Sequence, residues 1–424
     1  MKRELLLALS AAVLLVAGNA RAVTPAERQI AEAREAVAAQ PTAASGYTGL
    51  ALALARRARE VSSYAYYDEA SAALDRAQAL APDDFEAART RAAVLLGQQD
   101  FAAALALATR LNQRFPDDLM TYALLVDANV ELGNYAEAET AAQRMLDLRP
   151  GNLPGLARAA NLREVFGDIE GALELVLAAL PRVPPAEVQE QAWLLTRIGQ
   201  LNLAAGRLDA AERAVAEALR VFPDYHYALG EVARLQAAGG AWAEALATER
   251  RHYRAAPHPE NLYLLARVAA RGGQAREAAK LFDDFTRQAQ VASGTSANAN
   301  RELIQYYADE GAQPRAALAL AEQEIARRHD VHTLAAYAWA LHRSGQARAA
   351  AEAIDRALAV GTRDADLLYQ AGEIQAAAGA PARALELLRA ALAAAPWHAQ
   401  AAVAQTLLTQ LTAHMVPTDS GGKT

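Results

Sequence analysis

The chain has no cysteine among 424 residues, so thiolate metal sites, disulfides and thiol nucleophiles are excluded, and any chemistry falls to eight histidines and the carboxylates. The histidines are scattered over 226–414, and none stands in an H-E-x-x-H arrangement, which would set two imidazoles and a general base on one helical face. The tightest grouping is His329, Asp330 and His332 in the run RRHDVH, whose nitrogen and oxygen donors suit zinc. A metal site needs three or four converging ligands, however, and the adjoining Arg327 and Arg328 repel a cation, so no metal is expected. Neither the G-x-S-x-G elbow nor the G-x-x-x-x-G-K-[ST] phosphate loop occurs. Paired acids such as Asp283 and Asp284 sit among many other charges, as on a solvated face. The residues therefore point away from an enzyme, and no cofactor is expected.

Composition says which elements must carry whatever function remains. Ala and Leu dominate a chain that is 53% hydrophobic with only 6% aromatics, which favours helix over strand. Net charge is −7, with Lys and Arg interleaved among Asp and Glu, so no basic face suits nucleic acid. A chain this long ordinarily divides into several domains unless it is a repeat array.

A repeat is present, with a period of 34. Leu119–Pro150 is followed in register by Leu153–Pro184, with Gly133 and Gly167 in the same place; Gly206 and Gly240 are also 34 apart, as are Gly311, Gly345 and Gly379 in succession. Each unit reads as an apolar-periodic stretch, a glycine that ends it in the left-handed conformation, a second such stretch, and usually a proline that stops it. Five residues after the glycine position stands a small residue (Ala104, Ala138, Ala172, Ala211, Ala245, Ala278, Ala316, Ala350, Ala384), where only a methyl group lets two helices approach closely. Pro82, Pro116, Pro150, Pro184, Pro223, Pro257 and Pro396 close their units; those ending near Gln290, Arg328 and Thr362 lack the proline, and longer or less sharply ended helices are expected there. Extra residues interrupt the period at Val61–Tyr66, Val183–Glu187 and Gln288–Asn298.

The unit resembles the tetratricopeptide repeat, most closely in Tyr122, Leu125, Gly133, Tyr135, Ala138 and Pro150. The resemblance implies an all-α, right-handed superhelical solenoid of about ten helix-turn-helix units, with units one to seven over 45–290 and units eight to ten over 291–396. Capping helices are expected over 23–44 and 397–415, and a disordered tail over 416–424. In that family the first helix of each unit lines a concave groove that takes peptides or partner helices. Carried over, the early units offer mostly small or apolar groove residues. The later ones offer Tyr227, Arg234, Asn261, Arg271, Asn298, Arg301, Gln305, Trp339, His342, Arg343, Asp366, Tyr369 and Glu373, of which Arg234, Arg301, Gln305, Trp339, His342, Arg343 and Tyr369 form the expected partner-binding patch. Tyr64 and Tyr66, in the first unit's insertion, form a second candidate surface. The expected function is a non-enzymatic scaffold or adaptor that binds a protein segment. The alternatives are a carrier or chaperone for a polysaccharide, unfolded chain or lipid, or a noncatalytic regulatory subunit.

The first 22 residues combine Lys2 and Arg3, an apolar run from Leu5 to Val16 and small residues at Ala20 and Ala22, the pattern of a secretory signal peptide. The run is too short to span a bilayer and no later segment is long and apolar enough, so a periplasmic mature chain without a transmembrane segment is expected. Cleavage after Ala22 predicts that the protein from the cell envelope begins at Val23; intact-mass spectrometry checks this, and a chain still carrying Met1–Ala22 contradicts it.

Overall fold

The computed structural model of the chain describes residues 24–397 and 400–415; the signal-peptide, tail and His398 assignments lie outside the described residues. Residues 24–43 form a leading helix, α1 (Pro25–Ala39), opened by a capping box: the Glu27 amide donates to Thr24 Oγ1 at 3.2 Å and the Thr24 amide to the Glu27 carboxylate at 2.8 Å. Ten helical hairpins follow. The first five are α2 (Ala44–Val61) with α3 (Tyr64–Leu80), α4 (Phe85–Gly97) with α5 (Phe101–Arg114), α6 (Leu119–Leu132) with α7 (Tyr135–Leu148), α8 (Leu153–Val165) with α9 (Ile169–Ala179), and α10 (Val188–Ala204) with α11 (Leu208–Val221). The second five are α12 (His226–Ala238) with α13 (Trp242–Ala255), α14 (Pro259–Arg271) with α15 (Ala275–Ala292), α16 (Asn300–Ala308) with α17 (Pro314–Ile325), α18 (Val331–Arg343) with α19 (Ala347–Leu358), and α20 (Ala365–Ala377) with α21 (Pro381–Ala394); α22 (Ala401–Met415) closes the array. No strand occurs among the described residues.

The alanines placed after each turn are where the paired helices cross: Ala104, Ala138, Ala172, Ala211, Ala245, Ala350 and Ala384 are fully buried. One unit departs. In the eighth hairpin the residue with positive φ is Ala312 (47°), not Gly311, so Ala317 takes the fully buried position expected of Ala316. The shift follows from the short α16, which stops at Ala308. The Gln288–Asn298 insertion is split: its first five residues extend α15 to Ala292, and the rest is an ordered turn, where the Asn300 amide nitrogen donates to Ser293 O at 3.0 Å and to the buried Glu324 carboxylate at 2.8 Å, and Arg327 donates to Thr295 O at 3.2 Å.

Stacked hairpins curve so tightly that the superhelix meets itself. The turn inside the third hairpin touches the junction before the ninth, where the His329 amide donates to Leu132 O at 3.2 Å and the Val331 amide to the Tyr135 hydroxyl at 2.9 Å. The turn inside the fourth touches the junction before the tenth, at Gly361 and Arg363, and the turn inside the fifth packs on Trp397. In the first, Tyr64 meets the His258 ring edge-on at 4.8 Å. The contacts of the first, third and fourth hairpins reach the junctions before the seventh, ninth and tenth, and the fifth reaches the segment between the tenth hairpin and α22, so about six hairpins make one turn. Arg328, in the position where other units have proline, is the clamp of this seam. It is buried, lies 3.4 Å from Glu131 and 3.5 Å from Asp330, and covers the Phe101 ring at 5.7 Å. Asp330 also caps α18 by accepting from the amides of His332 and Thr333, both at 3.1 Å.

Gly167 and Gly345 have nearly the same backbone, φ 81° and 79°, but different surroundings. A Cβ on Gly167 would sit 2.3 Å from Gly361 O, whereas one on Gly345 meets nothing within 4 Å. Both Gly→Ala substitutions should cost about 1 kcal/mol for the left-handed conformation, and Gly167→Ala about 2 kcal/mol more by prying the seam open. Urea denaturation measures the difference, and small-angle scattering should show an enlarged particle for Gly167→Ala only.

Candidate ligand-binding lumen

Closure of the turns converts the concave side into an interior space walled by the first helix of each hairpin. Its early wall is a polar ladder. Arg158 pairs with Asp127 at 2.5 Å; Arg197 contacts Glu164 and donates to Gln200 at 2.6 Å; and Gln200 donates to Glu231 at 2.9 Å. These pairs join successive first helices and fix their spacing with charge-assisted hydrogen bonds.

One chamber has a volume of about 910 Å³ and is lined by α12, α14, Asp364 and Asp366 at the start of α20, and Trp397. Tyr227 projects into it. The residue is 49% exposed, yet burial pushes the hydroxyl up to about 12, a combination that places it in a water-accessible space surrounded by protein. Arg234, with a side chain 59% exposed, sits in the same setting, 3.9 Å from Glu231. Leu264, Arg267 and Arg271 complete the α14 wall.

The expected patch divides in two. Arg234 faces the chamber. Trp339 and Tyr369 are buried between first helices: the Trp339 indole donates to Asp309 at 3.1 Å and the Tyr369 hydroxyl to Glu373 at 2.6 Å. Arg343 lies 5.8 Å from the Trp339 ring centroid and donates to Ala308 O at 3.1 Å, while His342 is 3.4 Å from Glu373. Gln305 contacts Asp309 and accepts from Gln370 at 3.3 Å, linking the eighth hairpin to the tenth. Arg301 is elsewhere, in an acidic neighbourhood by the seam. Burial works against its charge, but Glu302, Asp330, Glu260 and Glu131 more than offset it. Burial, then the Glu302 charge, pushes Glu260 up to about 7. Tyr64 accepts from Gln99 at 2.6 Å and packs on His258; Tyr66 is half-buried against the first hairpin's core.

Arg267 and Glu260 escaped the sequence reading, although counting back from Gly273 with the family spacing reaches both. No spacing rule would have found Trp397 or His226, whose roles arise from the second superhelical turn.

Tetratricopeptide repeat is the family that matches, over residues 89–152, 196–258 and 336–397, which are the second and third, fifth and sixth, and ninth and tenth hairpins. Fold and repeats together define an all-helical solenoid whose matched segments are similar to tetratricopeptide repeats. Among solved structures it is similar to the human IFIT1 dimer with PPP-AAAA, at 14% identity over 86% of this chain and 85% of that one, with a TM-score of 0.49. It is also similar to PilW, described as a widely conserved type IV pilus biogenesis factor, at 16% identity over 49% and 92%, with a TM-score of 0.39. A thermophilic TPR protein of Thermus thermophilus is 25% identical over 38% and 84%, with a TM-score of 0.34. No curated protein matches the chain.

His226 makes the assembly sensitive to acid. It is buried, its Nε2 lies 3.4 Å from Arg59 O in the first hairpin, and burial pushes its pKa down from 6.5 to about 4. The folded protein holds this ring neutral while the unfolded chain takes a proton below 6.5, so its contribution is complete above 6.5 and is lost as pH falls toward 4. Between pH 7 and pH 4 the wild type should lose about 2–3 kcal/mol through this group. His226→Gln should lose that much less over the same interval, as read from urea midpoints at the two pH values.

Proposed function

We propose that the protein is a non-enzymatic scaffold of the bacterial cell envelope that holds a segment of a partner protein inside the lumen of its superhelix. One observation carries the reading: a chamber of about 910 Å³ walled by a half-exposed tyrosine, an exposed leucine and an exposed arginine, Tyr227, Leu264 and Arg234. A volume of this size, at the upper end of ligand pockets, admits a chain segment but no folded domain. Tyrosine and arginine are among the residue types that dominate binding energy at interfaces, and the leucine adds apolar area to bury. Tetratricopeptide repeats generally mediate protein–protein interactions, in keeping with this reading. The envelope assignment rests on the N-terminal segment, with its cationic start, short apolar run and small residues.

Among the alternative cargoes, a lipid tail fits least well, because Arg, Glu and Asp side chains line the chamber and would have to be desolvated against hydrocarbon. A photocrosslinking amino acid placed at Leu264, inside, and at Val291, 84% exposed on the outside, tests the proposal in the native cell. The Leu264 position should give a discrete crosslinked partner that the Val291 position does not. Crosslinks from Val291 alone would overturn the lumen as the binding site.

A further inference from the structure

Most lumen arginines have acidic partners: Arg158 has Asp127 at 2.5 Å, Arg197 has Glu164, and Arg343 has Asp309 at 3.5 Å. Arg267 and Arg271 differ. They lie one helical turn apart on α14, and among the described residues neither has a carboxylate within 4.0 Å. Like charges at this helical spacing repel. The cost shows in Arg271, which burial and then the Arg267 charge hold below the usual arginine range. Arg267 is stacked over the Tyr263 ring at 5.6 Å, which restrains its planar fork. Arg234 on the adjacent first helix reaches the same chamber, its Glu231 partner no closer than 3.9 Å. Of the acids around the chamber, Asp364 is engaged as the cap of α20, accepting from the Leu367 amide at 2.8 Å, and Glu249 contacts His252 at 3.0 Å. Against burial, Tyr263, Asp366, Glu310 and Asp309 hold Arg267 above the usual arginine range, and Asp366, Tyr263 and Glu310 also favour the charge of Arg271.

Three guanidinium groups thus converge on a chamber that Glu231, Glu249, Glu260, Asp364 and Asp366 also line, and on its α14 wall Arg267 and Arg271 stand without a carboxylate in salt-bridge contact. A carboxylate or phosphate meets a guanidinium fork with paired, charge-assisted hydrogen bonds, and between two arginines it also removes their repulsion. We infer that Arg234, Arg267 and Arg271 form an oxyanion seat, and that the segment held in the lumen presents acidic side chains to it, with Tyr227 and Leu264 covering the flanking apolar atoms. This rests on the lumen reading and adds the chemical class of what enters.

The test measures fluorescence anisotropy of the full mature chain with labelled hexaglutamate, with labelled hexaglutamine, and with inorganic tripolyphosphate as the other oxyanion. Hexaglutamate should bind and hexaglutamine should not. Arg267→Gln with Arg271→Gln should weaken hexaglutamate binding roughly tenfold or more, while Arg220→Gln with Arg348→Gln, on exposed arginines of α11 and α19, should leave it unchanged. If the double variant melts early, Arg234→Gln alone serves, with a loss of at least severalfold. Equal binding of hexaglutamine, undiminished binding by the lumen variants, or capture of tripolyphosphate without hexaglutamate would each overturn the acidic-segment assignment. A crosslinked partner at Leu264 that persists undiminished in the Arg267→Gln, Arg271→Gln background would sink this inference while leaving the lumen reading intact; loss of crosslinking at Leu264 in the otherwise unmodified chain would sink the lumen reading itself.

Discussion

Everything distinctive in this molecule follows from the contact its superhelix makes with itself. Methyl-sized residues at the helix crossings let consecutive hairpins pack closely enough that, after about six, the chain returns to its own surface, and Arg328, His329 and Val331 settle on Glu131, Leu132 and Tyr135. Without that seam the first helices would line an open groove. With it they enclose a chamber, where burial raises the Tyr227 hydroxyl although the residue is half-exposed by area, and neighbouring acids led by Glu231 hold Arg234 charged against burial.

Burial of this kind explains why so many charges inside the lumen are organised in pairs. A guanidinium taken from bulk water is tolerable when a carboxylate stands close by, and the ladder from Asp127 to Glu231 satisfies that condition hairpin by hairpin while holding the first helices at fixed spacing. The same rule gives the exceptions their meaning. Arg267 and Arg271 break it on the α14 wall of the chamber, where two cations one turn apart have no carboxylate in salt-bridge contact, and this is the ground for the anion-binding role inferred above.

Helices, turns and hairpin pairing were legible in the sequence because each is enforced locally, by glycine at positive φ, alanine at the crossing and proline at the stop. Even the eighth hairpin's one-residue slip from Gly311 to Ala312 is a local matter, tied to the early end of α16. Closure was not legible as such, since it depends on curvature summed over six units. Its trace was nonetheless present in the missing prolines. Arg328 and Thr362, read as loosened helix ends, belong to the junctions on which earlier turns dock. Of the residues whose spacing put them on the groove, Arg234 lines the chamber, whereas Trp339 and Tyr369 are buried between first helices, a placement set by tertiary geometry and not by residue type.

The most direct test of closure is a distance measurement across the seam. Because the chain has no cysteine, spin labels can be placed uniquely at Asn134 and His332, exposed residues on the two turns joined by the Leu132–His329 and Tyr135–Val331 hydrogen bonds. Pulsed electron paramagnetic resonance should return a single short, narrow distance distribution in the purified protein. A broad distribution centred at long distance would mean that the superhelix is open and that the lumen does not exist in solution.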